Sequence, residues 1–213
     1  MEMNLFTLDN LFLLLTGLVA IYLLWLFWGR YSKGKAIFDV YYLMGFLVLL
    51  ISGLLLIFLG YGILGMGGTI LSPFILPVAS LIPLGISIGL VEQYFPQYKK
   101  AFKWFALVGF LAIAITSIGG YELGRKISVP LFHGVAGLVI FLGPFLAKKA
   151  PKGFWWVGIG GLLIGLGGVA LAFLSIESQL LFFSRAFVFA ILAPLLLLMT
   201  LAFTMGFVKD IRK

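Results

Sequence analysis

The sequence predicts an all-α polytopic membrane protein: a bundle of seven transmembrane helices with its N-terminus outside and its C-terminus in the cytoplasm. Three observations carry that expectation. Of 213 residues, 63% are hydrophobic and only 10% are charged, with a mean hydropathy of +1.21. No water-soluble core needs so much apolar sequence, whereas lipid does. The apolar residues fall into seven runs, each close to the ~20 residues that cross a hydrocarbon core of ~30 Å. The basic residues cluster in alternate turns between those runs.

The spans lie at about 8–29, 37–60, 69–92, 103–120, 127–147, 153–174 and 181–208, so residues 1–213 form a single transmembrane domain. Each must be helical, because lipid satisfies no backbone polar group. Span one has no basic stretch before it and no small-residue cleavage site after it, and reads as a retained helix rather than a signal peptide.

Orientation follows from the turns. Arg30, Lys33 and Lys35 follow span one, Lys99, Lys100 and Lys103 follow span three, and Lys148, Lys149 and Lys152 follow span five. Lys209, Arg212 and Lys213 close the chain. With seven spans these share one side, which the positive-inside rule makes cytoplasmic. The other side holds only Arg125, Lys126 and Arg185. Trp25, Trp28, Trp104, Trp155 and Trp156 fall at the inner ends of spans, where an indole meets headgroups. The implied localisation is a cell membrane, multi-pass, and the first partner is the lipid bilayer. The net charge of +8 does not point to nucleic acid, because it sits in these turns rather than on a patch or along one helix.

Span three carries Pro73, Pro77 and Pro83. Each proline removes a backbone donor and bends a helix. One reading is a kinked helix whose freed carbonyls are met by Ser72, Ser80 or Ser87. The other is a broken helix lining a substrate cavity, as in transporters. Span six places Gly158, Gly161, Gly165 and Gly168 on one helical face, which lets another backbone approach closely. That face serves either a helix of the same bundle or another chain, in a homo-oligomer or with a membrane partner subunit.

Ionisable groups inside spans are costly and point to function. His133, the only histidine, lies in span five. Arg185 enters span seven at similar depth, and Glu122 and Glu177 lie in the outer turns. These four are the candidate substrate-binding cluster, with a snorkelling arginine and a carbonyl-bonded histidine as the plainer alternative. At the inner side Asp39 begins span two and Glu92 ends span three. They form either a carboxylate pair or two rim ion pairs with lysines such as Lys35 and Lys99.

The absence of cysteine excludes disulfides, thiolate catalysis and thiolate-held metals. No metal site is expected and no cofactor is named by the sequence. A single haem would need His133 on one face and Met66 or Met199 on the other. Span seven has no lysine for a retinal Schiff base. Hydrolase, zincin and P-loop signatures are missing, so no catalytic residue is assigned. Two functions remain: transport or permeation of a small solute or ion, and a structural or accessory subunit of a larger membrane complex. The haem anchor is a third.

Overall fold

The computed structural model describes residues 7–64, 72–175 and 185–212. The described residues form seven α-helices and no strand: α1 (Leu8–Gly34), α2 (Ile37–Leu59), α3 (Ser72–Tyr94), α4 (Lys99–Ile118), α5 (Glu122–Leu146), α6 (Trp155–Ser175) and α7 (Arg185–Ile211). Six of them, all but α6, present described stretches long and apolar enough to cross a membrane. This is the composition of a multi-pass membrane protein.

Local chemistry sets the helix ends. The Thr7 hydroxyl accepts from the Asn10 N–H (3.2 Å) and caps α1. Lys35 closes α1 in the left-handed region at φ 51°, with its N–H donated to the Tyr31 carbonyl. Only Ala36 then separates α1 from α2. Gly60, Gly120 and Gly153 take positive φ at the ends of other turns.

Helices adjacent in sequence pack on one another, α7 closes back on α1, and α3 also touches α5. The α3 span is 67% buried and the α4 span 22%. Hence α3 is the inner helix and α4 lies at the periphery. The prolines do not break α3, which runs through Pro77 and Pro83. Its depth comes from close approach to α2. A Cβ on Gly85 would lie 2.8 Å from the Tyr41 carbonyl oxygen, and one on Gly89 would lie 2.5 Å from the Tyr42 ring. In lipid, where water drives no helices together, such contact is a main source of cohesion.

Beside that seam the interior is filled by rings. Phe27 stacks on Tyr42 with centroids 4.9 Å apart, Phe207 sits 5.1 Å from Phe27 and 4.8 Å from Tyr42, and Phe46 meets Phe203 at 5.9 Å. These side chains, with Phe154, are fully buried. Several hydroxyls in the helices turn back on their own backbones. Ser80 donates to the Pro77 carbonyl, Ser87 to Leu84, Thr200 to Leu196 and Thr204 to Thr200. The Pro83 ring frees the carbonyl of Ala79, so the Ser80 hydroxyl serves a different group from the one expected.

Helix limits also differ from the expected spans. α1 continues to Gly34, α3 to Tyr94 and α7 to Ile211. They extend by five, two and three residues past their apolar runs, where polar residues find partners on neighbouring helices.

Candidate functional site

Two polar features stand out against this apolar body. The first lies where the basic ends of α1, α2, α3 and α7 converge. Arg30 Nε donates to Asp39 Oδ1 (2.7 Å), and Nη2 lies 2.6 Å from the same oxygen. Arg30 Nη1 donates to Asp210 Oδ2 (2.6 Å). Asp210 also accepts from Gln93 Nε2 (2.9 Å) and from the Tyr94 hydroxyl (2.5 Å), and the buried Tyr42 hydroxyl donates to Gln93 Oε1 (3.0 Å). The guanidinium carbon sits 5.4 Å from the Phe27 ring centre and 5.0 Å from that of Phe38. Two carboxylates thus share one arginine, supported by neutral donors, and Asp39 Oδ2 is buried without a partner among the described residues. Such a charge-assisted network is geometrically specific and holds its helices in one arrangement.

The carboxylate pairing considered from sequence does not form. Asp39 is held by Arg30, and not by Lys35, whose ammonium lies over the Tyr31 ring. Glu92 belongs to a separate rim pair with Lys103 (2.5 Å) and Lys99 (3.5 Å).

The second feature is a cleft of about 310 Å³ between α5 and α6, with Pro83 of α3 at its back. Glycine spacing creates it. At Gly158 and Gly161 the helices touch: a Cβ on Gly161 would lie 2.6 Å from the backbone of Ile140 and Phe141. Farther along, Gly137 of α5 still reaches Gly165, a Cβ there lying 3.9 Å from the Gly165 Cα, while a Cβ on Gly165 or Gly168 of α6, or on Gly134 of α5, would meet nothing among the described residues within 4 Å. The two helices therefore form a wedge, closed towards the basic end and open away from it. Leu138, Leu162 and Leu166 line it and are exposed on the outside of the bundle. The mouth thus faces sideways, where a bilayer would lie.

His133 is the one polar side chain on the described wall; its ring turns back to the Val129 carbonyl one turn earlier in α5, and its Nδ1 is closed off from the cleft, so an occupant meets the other edge of the imidazole.

Comparisons with known protein families, curated proteins and solved structures return no match. What this chain can do has to be read from its geometry.

The four residues expected to form an outer cluster are not seen together. Glu122 opens α5, is 75% exposed, and faces Lys126 at 3.8 Å. It lies eleven residues before His133, roughly 16 Å along the helix at ~1.5 Å per residue. Glu177 and the Arg185 side chain lie outside the described residues, as does Met66. Met199 is buried in the aromatic core, whereas His133 lines the cleft. Pro77 and Ser80 are buried within α3, Pro73 is half-buried near its start, and Pro83 alone of the four lines the cleft.

Two features of these sites escape the sequence reading, one without a signal and one with. Arg30 and Asp210 look like turn charges until the helices are seen to carry them inward. Gly134 and Gly137 of α5 do lie at small-residue spacing opposite those of α6, a signal available in the sequence.

Proposed function

We propose that the chain is a cell-membrane protein of seven spans, N-terminus outside, that takes up a small bilayer-soluble molecule through the side of the bundle. The observation that carries this reading is the wedge between α5 and α6, with its lateral mouth and the single histidine on its wall. A largely apolar pocket with one fixed polar group is the usual form of a small-molecule site. Within the broader idea of solute transport, the geometry favours an apolar solute reached from lipid. A polar solute or ion moving along the bundle would meet the stacked rings of Phe27, Tyr42, Phe46 and Phe207. It would find few free hydroxyls, because Ser80, Ser87, Thr200 and Thr204 are engaged with their own helices.

Native mass spectrometry of the protein released from mild detergent tests the reading. A retained small apolar adduct, lost on Gly165→Leu, supports it. An adduct-free wild type that also takes up no added apolar compound refutes it.

One observation favours a structural or accessory subunit instead. Trp104, Val108, Leu111 and Ile115 form an exposed stripe along peripheral α4. Lipid covers such a face as well as a partner helix does. A native mass above that of one chain plus bound lipid would favour the subunit.

A further inference from the structure

We infer that the cleft's ligand is an uncharged apolar molecule bearing a hydroxyl group, an alcohol of the long-chain or fused-ring kind, seated with its hydroxyl on His133. This rests on the reading of the cleft as a binding site and adds the chemical class of what binds.

The wall of the cleft sets the first limit. At about 310 Å³ the cleft is at the small end of ligand pockets, which run from about 300 to 1,000 Å³. Its described lining is glycine, proline, aliphatic and phenylalanine side chains apart from His133. No lysine, arginine, aspartate or glutamate is among these residues, so a charged headgroup would be desolvated there without a counter-charge. Depth points the same way. His133 lies eleven residues inside α5, about 16 Å along the helix at ~1.5 Å per residue. A phospholipid could lay an acyl chain in the wedge, but its headgroup would stay at the interface, away from the histidine.

The polar group is selected by the imidazole. A neutral imidazole has one donor and one acceptor nitrogen, and the Val129 carbonyl takes the donor. A ketone or ether can only accept, whereas a hydroxyl can donate to the nitrogen that is left. The mouth is flanked by Leu138, Leu162 and Leu166, which lets an apolar body lie partly in the bilayer while its hydroxyl reaches inward.

The chain has a single histidine, so histidine-selective ¹⁵N labelling reads the site alone. The full-length labelled protein in detergent micelles is titrated with dodecanol and, separately, with dodecane. Imidazole ¹⁵N resonances and the thermal midpoint are followed. The expected result is a saturable ¹⁵N shift with dodecanol and none with dodecane, abolished in Gly165→Leu. Gly168→Leu fills the same wedge and serves if the first variant does not fold. If both compounds raise the midpoint equally, the increase is lost on filling the wedge, and the imidazole does not respond, the cleft binds apolar matter and hydroxyl recognition is wrong. If neither compound binds, both readings fall. A dodecanol shift that survives in the filled variants places the alcohol elsewhere and also overturns the inference.

Discussion

Arg30 and Asp210 lie 180 residues apart in the chain, and their side chains meet at 2.6 Å. This contact fastens the last helix to the first and closes the ring of helices. Arg30 also grips Asp39 at the start of α2, and Asp210 reaches α3 through Gln93 and Tyr94. Four helix ends are thereby held by one guanidinium and two carboxylates.

Removing the guanidinium is expected to be costly. Arg30→Met leaves Asp39 and Asp210 facing each other where Asp39 is fully buried. Breaking a buried ion pair from one side typically costs about 3–5 kcal/mol. A large drop in thermal midpoint in detergent is expected, with smaller drops for Asp210→Asn, which retains an acceptor for Tyr94. An Arg30→Met protein as stable as wild type would show that the network contributes nothing net.

The rim pair behaves differently. Glu92, whose side chain is only 8% exposed, faces Lys103 and Lys99, which are 35% and 45% exposed. The lysine ends stay in reach of water and salt, which screen them. Glu92→Gln is therefore expected to lower the midpoint by less than Arg30→Met does, and by less still in high salt. A loss matching that of Arg30→Met would mean that Glu92 holds its helix as firmly as Asp39 does.

The contrast between these two sites explains what was legible in the sequence. Apolar run length is a strong signal, so seven helices were legible, though their ends differ from the apolar runs by up to five residues, as at Gly34 and Glu122. Asp39 and Glu92 both read as carboxylates at span ends, and nothing in their spacing tells that one meets an arginine lying against Phe27 and Phe38 while the other meets two partly exposed lysines. The difference arises because α1 and α7 continue past their apolar runs and bring Arg30 and Asp210 inward. The cleft was half legible. The glycine face of α6 was evident, but Gly161 and Gly165 are the same residue type at the same spacing, and only the divergence of α5 makes one crowded and the other open. Prolines are what mark span three in the sequence, while the close fit of α3 on α2 comes from Gly85 and Gly89.

The divergence of α5 from α6 gives a paired experiment. Gly161→Leu drives a side chain into the backbone of Ile140 and Phe141. It should unseat α5 from α6 within one chain, lowering yield and thermal midpoint; overpacking of this kind costs about 1–3 kcal/mol or more. Gly165→Leu enters open space and exchanges glycine for a better helix former, a gain of under ~1 kcal/mol. The expected order of midpoints is Gly165→Leu at or above wild type and Gly161→Leu well below. The reverse order would mean that the wedge opens in the other direction. Because the Gly161 change acts inside the chain, loss of an oligomer in that variant would not by itself identify a subunit interface.

Orientation can be tested cleanly because the chain has no cysteine of its own. Tyr121, 62% exposed in the turn between α4 and α5, and Lys100, exposed at the start of α4, lie at opposite ends of α4. Tyr121→Cys and Lys100→Cys each introduce a single thiol, and the rest of the chain is silent to a maleimide. The basic residues concentrate at the Lys100 end, which the positive-inside rule makes cytoplasmic. A membrane-impermeant maleimide applied to intact cells should label Tyr121→Cys at once and Lys100→Cys only after permeabilisation. Labelling of Lys100→Cys alone in intact cells would invert the protein and put the wide end of the wedge in the cytoplasmic leaflet. Labelling of both would mean that α4 does not cross the bilayer.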